Sequence, residues 1–102
     1  MQQHHDRPAT LGELLASAAA AWGTTPEALR DRRRPKLLGP ARQAFVLAAV
    51  RHTANSYRTI GEAIGRDHST VMTAEAIARR REENDPDFAG KLRALTREGR
   101  MQ

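Results

Sequence analysis

The chain has 102 residues, of which 17 are Lys or Arg and 12 are Asp or Glu, giving a formal net charge of +5 with His neutral, and it has no cysteine. This length suits one small domain, the lack of cysteine excludes disulfides and thiolate metal sites, and the positive balance favours a polyanionic partner, nucleic acid or an anionic membrane face. No apolar run approaches the roughly 20 residues of a membrane span, and the polar start lacks an apolar signal-peptide core, so a soluble cytoplasmic protein without a membrane partner is expected. The apolar content is alanine-rich with few aromatics. That suits closely packed helices and leaves little room for a ligand cavity, so no cofactor is expected.

Met1 to Ala9 is polar and reads as a disordered lead-in. Its adjacent His4 and His5 lack other clustered ligands, so a solvated tail is favoured over a metal site. Thr10 and Glu13 have the spacing of a capping box, in which each side chain satisfies a free N–H of the other's backbone. Leu11, Leu14, Leu15, Ala18, Ala19 and Trp22 then follow at helical spacing to Gly23. Trp22 closes that stripe as a core anchor; base stacking by its indole lacks neighbouring aromatics. Thr24, Thr25 and Pro26 open a second, short helix to about Asp31.

The densest positive run, Arg30 to Lys36, lies between predicted helices. Pro35 keeps it from being a helix interior and holds Arg34 extended. Residues 37–53 contain the longest apolar helix, started by Gly39-Pro40. Ala41, Phe45, Ala48, Ala49 and His52 share one face, and Val46, Leu47 and Val50 widen it, so this helix is expected to be central. Arg42 and Gln43 sit near its N-terminus, where free N–H groups favour anions. His52 near its end reads as packed or dipole-stabilised.

Ser56 caps the next helix, with Tyr57, Arg58 and Thr59 in its first turn and Ile60, Ala63 and Ile64 on its buried face. Gly61 and Gly65 bracket a tight turn. Asp67 and Ser69 are both good N-caps, and Val71, Ala74 and Ala78 mark the buried stripe of a helix from about His68 to Glu82 or Glu83. A short helix, a glycine turn and a longer helix make a helix-turn-helix, whose second helix meets base edges with its N-terminal residues while the first crosses the backbone. Asp67 can accept from a cytosine amino group, a role compatible with capping. His68 can donate to guanine or meet thymine, and Ser69 and Thr70 can meet bases, a thymine methyl or phosphate. Arg58 and Thr59 are candidate phosphate contacts, whereas Tyr57 can equally pack. Arg79, Arg80 and Arg81 read mostly as solvated, helix-stabilising cations near the negative end of the helix dipole, with a minor phosphate role. Asp85 and Pro86 open a last helix with Phe88, Leu92 and Leu95 as its stripe, and a short tail starts at Gly99.

The stretch IGEAIGRDHSTV resembles the signature of the C-terminal helix-turn-helix domain of the bacterial replication initiator DnaA, and the resemblance runs from about Leu14 to Leu95. It implies an all-α fold: a compact bundle of about six helices over residues 10–98, containing the helix-turn-helix and a preceding basic loop. WGTTPEALRDRRR is similar to the segment that leads into that loop, and ARQAF to the characteristic Arg-Gln at the head of the next helix. The resemblance implies that an arginine of the loop, Arg34 by spacing, enters the minor groove. Arg33, Lys36, Arg42, Gln43 and Arg66 then join Arg58 and Thr59 as phosphate contacts, and Asp67, His68, Ser69 and Thr70 read bases. The sequence departs from the family in one place. Gly65 alone separates Ile64 from Arg66, where the family more often has two glycines or an extra residue. The tighter turn can rotate the second helix and change which bases it meets.

The expected function is sequence-specific binding of double-stranded DNA in the nucleoid; the resemblance favours one copy per site over pairing through the last helix and tail. The sequence has no Gly-x-x-x-x-Gly-Lys-Ser/Thr phosphate loop, so ATP-driven assembly is not expected of it. A transcription regulator of phage-derived or gene-transfer-agent type, working with RNA polymerase or another transcription or replication protein, is the leading reading. A replication regulator at initiator boxes is the alternative, and a protein-interaction module a further one. An enzyme is not expected. Asp67, His68 and Ser69 are consecutive at a helix start and point in different directions, whereas a hydrolytic triad must converge in space.

Overall fold

The computed structural model describes residues 9–31 and 39–101, with side chains through Leu95. Among these the chain forms six helices and no strand: α1 Leu11–Ala21, α2 Pro26–Arg30, α3 Gly39–His52, α4 Tyr57–Ala63, α5 His68–Asn84 and α6 Pro86–Met101. The all-α expectation holds, and the helix starts follow local chemistry. Thr10 Oγ1 accepts from the Glu13 N–H at 3.1 Å while Glu13 Oε1 accepts from the Thr10 N–H at 2.9 Å, completing the capping box. Gly23, at φ +67°, reverses the chain after α1, and the Thr24 N–H returns to the Ala19 carbonyl at 2.8 Å, the glycine-closed helix end. Asp85 Oδ1 accepts from the Phe88 N–H at 3.2 Å and starts α6.

Helix α3 is the axis of the bundle, packed by α1, α4, α5 and α6. Ala41, Ala44, Ala48 and Ala49 let the neighbouring backbones come close, while Phe45, Val46 and Leu47 fill the remaining space, all at 0–1% exposure. Removing Phe45 or Leu47 from water contributes about 1.5–3 kcal/mol each. Trp22 packs edge-tilted on Phe88 of α6, ring centroids 5.8 Å apart, and Lys91 Nζ lies 4.9 Å above its ring, so the indole serves packing.

Two boundaries differ from the sequence expectation. Ala9, assigned to the lead-in, is buried in the core, because the capping box turns the chain inward one residue before the helix. Helix α6 continues through Gly99 to Met101, since no proline or left-handed glycine stops it.

Candidate nucleic-acid interface

The turn between α4 and α5 is closed by the same device as the end of α1. Gly65 takes φ +66°, and the Arg66 N–H reaches back to the Gly61 carbonyl at 2.8 Å. At Gly61 a Cβ would run into the Arg66 carbonyl oxygen and lie 3.1 Å from Val71 Cγ2. The absent side chain therefore lets α4 and α5 approach to backbone contact. Asp67 Oδ1 then accepts from the Thr70 N–H at 2.9 Å and caps α5. The tight turn read from the sequence is thus a well-formed one.

Val71 and Ala78 are buried and fix the inward face of α5, leaving His68, Ser69 and Thr70 exposed on its first turn. The hydroxyls of Ser69 and Thr70 have no hydrogen-bond partner among the described residues. By contrast, Thr25 and Ser56 spend theirs on capping, and Thr53 donates to the Ala49 carbonyl. An open groove of about 390 Å³ runs between the head of α3 and α5, with Gln43 and Arg66 on one wall and Ser69, Thr70, Thr73 and Ile77 on the other. Thr73 and Ile77 carry no motif signal in the sequence. Their exposure follows from counting helical positions away from Val71 and Ala78.

The expected phosphate contacts divide. Arg33, Arg34 and Lys36 lie outside the described residues. Arg58 stands off α4 with its side chain 85% exposed and Glu62 3.9 Å away, and Thr59 is exposed, its Oγ1 accepting from Ser56 Oγ. Arg66 folds one guanidinium nitrogen onto the carbonyls of Ile64 and Gly65, at 3.2 and 3.3 Å, and faces the groove. Gln43 accepts at its side-chain oxygen from Arg81 Nε, at 3.0 Å, which leaves its amide NH2 as the donor toward the groove.

Arg42 requires a correction. Its residue is 7% exposed, the one buried charged residue among those described. Nε donates to the Leu29 carbonyl at 2.7 Å, and Nη2 donates to the carbonyls of Asp31 at 2.7 Å and Ala28 at 3.3 Å. These carbonyls lie at the C-terminal end of α2, where Ala28 also accepts from the Asp31 N–H at 3.1 Å and the last carbonyls of the five-residue helix run out of intrahelical donors. Burial lowers the Arg42 pKa, Arg66 lowers it further, and Asp31 opposes both. Arg42, which also lines the groove, is therefore a clamp between α2 and α3, with Nε and Nη2 held by these carbonyls rather than presented to a phosphate.

Ion pairs brace the interface from behind. Arg51 forks onto Glu82 with contacts of 3.0 and 2.8 Å, tying α3 to α5. The Tyr57 hydroxyl donates to Glu75 Oε1 at 2.7 Å while Arg79 donates to Oε2 at 2.8 Å, tying α4 to α5. Tyr57 thus holds the two helices of the motif at their crossing. Hydrogen bonds from Arg79 and then Tyr57 pull the Glu75 carboxyl below its usual pKa, and those from Arg51 do the same for Glu82. Of the arginine run read as solvated, Arg79 is paired, Arg81 packs over Phe88 at 5.7 Å, and Arg80 is exposed. His52 is exposed at the end of α3.

The family described as the bacterial DnaA protein helix-turn-helix matches residues 13–77, which include α4, the turn and the exposed start of α5. A chromosomal replication initiator protein DnaA of Deinococcus radiodurans is 34% identical over 83 residues, covering 81% of this chain and 18% of that protein. The chromosomal replication initiator protein DnaA of Gluconobacter oxydans is 30% identical over 98 residues, covering 95% of this chain and 20% of that protein. The chain therefore spans about a fifth of the length of these relatives.

Proposed function

Because the chain belongs to the bacterial DnaA helix-turn-helix family, whose fold binds DNA, we propose that it reads specific double-stranded sites and regulates transcription from them. The first turn of α5 enters the major groove, and the basic segment with Arg34 enters the adjacent minor groove. The observation that carries the reading is the exposed row His68, Ser69 and Thr70, whose two hydroxyls have no partner among the described residues, at the head of a helix set by a backbone-tight turn. Hydroxyl and imidazole groups so placed suit base edges. Phosphate neutralisation by Arg33, Arg34, Lys36, Arg58, Arg66 and Arg80 supplies most of the affinity, so log affinity falls with log salt at a slope of about −5.

Such a unit regulates transcription by occupancy at a promoter, without a catalytic step. The names of the two relatives favour a second reading, occupancy of initiator boxes as a replication regulator. Fluorescence anisotropy on a duplex carrying a DnaA-type box and on a scrambled duplex, across a salt series, tests the DNA reading. Selective binding to the box supports initiator-site occupancy, and selectivity for another sequence supports a separate regulon. Equal binding to every duplex would refute sequence reading. Mapping the bound sites in cells then separates promoters from origins.

A further inference from the structure

Resting on the proposed DNA reading, we infer that Thr73 is a specificity-determining residue that recognises the methyl group of a thymine in the major groove. The side chains of α5 point in directions fixed by its buried stripe. At 100° per residue, taking the mean of Val71 and Ala78 as inward, Ser69 points about 170° away and Thr73 about 150° away, while His68 and Thr70 point only about 70° and 90° away. Thr73 therefore faces out more squarely than two residues of the motif. Ser69, Thr73, Ala76 and Arg80 form one outward file, all exposed.

Three further observations fit a reading role. The Thr73 side chain is uncommitted: among the described residues its hydroxyl has no partner, whereas Thr53 in α3 bonds the carbonyl four residues back at 2.7 Å. The next residue in the file, Ala76, is small, so the helix can sit close to the groove floor at that point. Arg80 ends the file with an exposed guanidinium, in reach of the backbone as the helix leaves the groove. Thr73 lies about 6 Å along the axis from Ser69, roughly two base steps. It thus extends the reading edge past the capping turn instead of repeating a contact of Ser69. A threonine offers a γ-methyl to the thymine C5-methyl and a hydroxyl to a neighbouring acceptor, which selects an A·T pair.

The test is selection from a random duplex library with the intact chain, followed by anisotropy. Wild type, Thr73→Ser, Thr73→Ala and Ser69→Ala are compared, with circular dichroism melts confirming that each is folded. Thr73→Ala is expected to lose the thymine preference at one position and leave the rest of the motif as in wild type, while Ser69→Ala changes a different position. On the selected duplex, replacing that thymine by deoxyuridine removes only the methyl. Wild type should then bind about fourfold more weakly, the worth of one buried methyl, whereas Thr73→Ser, lacking the γ-methyl, should bind both duplexes equally. An unchanged motif for Thr73→Ala, or equal deoxyuridine sensitivity in wild type and Thr73→Ser, overturns the role of Thr73 while leaving the DNA reading intact. Failure of wild type to enrich any motif overturns the DNA reading and this inference with it.

Discussion

Replacing Arg42 by alanine should damage the fold rather than the DNA contact. Its guanidinium holds the carbonyls of Leu29 and Asp31 at 2.7 Å and of Ala28 at 3.3 Å. A hydrogen bond to a charged group is worth about 1.5–3 kcal/mol net, and a buried carbonyl left alone costs about 1–3 kcal/mol. The carbonyls of Ala28 and Asp31 are only partly buried and water can replace the arginine there, so most of the loss comes from Leu29 and from the packed stem of the side chain. A loss of about 3 kcal/mol follows, which lowers the melting temperature of a domain this size by roughly 12–24 °C. Arg42→Lys keeps the charge but not the fork, and should fall between alanine and wild type. Urea denaturation followed by circular dichroism measures the loss. Anisotropy below the melting range then asks about contact: removing a phosphate contact lowers the salt slope by about 0.9, whereas removing this clamp should leave it unchanged. An Arg42→Ala chain as stable as wild type, with a slope reduced by one contact, would refute the clamp.

Gly61→Ala sets a helix-propensity gain of about 1 kcal/mol against overpacking of about 1–3 kcal/mol or more; because the obstacle is the Arg66 backbone, a net loss of about 2 kcal/mol is expected in denaturant melts, with selective binding falling further than non-specific binding. Arg80→Ala should weaken matched and scrambled duplexes equally and reduce the salt slope by about 0.9, whereas Arg79→Ala, whose cation is tied to Glu75, should change the slope less. Glu82, held below its ordinary value of 4.5 by Arg51, contributes stability that is fully present above that value and is lost as the pH falls through its folded-state pKa. Acid melts of Glu82→Gln should therefore lack part of the drop below about pH 4.5, and an Arg51/Glu82 double-mutant cycle at neutral pH should give about 0.5–1 kcal/mol.

The parts of the fold that were legible in the sequence are those written over three or four residues. The Thr10–Glu13 box, the Asp67 and Asp85 caps and the Gly65 turn are local bargains between a side chain and the nearest backbone, so spacing alone reveals them. The roles of the arginines are not local. Arg42 finds its acceptors 11–14 residues away across a helix pair, and Arg81 finds Gln43 38 residues away. In the sequence, both look the same as the exposed Arg80, because charge and helix position do not say which face a neighbour will cover. Thr73 is the opposite case. Its outward direction is implied by Val71 and Ala78 alone, but no capping or charge pattern marks it out as the first turn of α5 is marked. The surface that meets DNA is therefore set by two different kinds of residue. Side chains such as Ser69 and Thr73 face outward because the buried stripe of their own helix leaves them there. Cations such as Arg42 and Arg81 are withdrawn from the surface by partners that only the tertiary fold supplies. Counting positive charges thus overstates the contacting set, and the slope of binding against salt is the quantity that separates the two kinds.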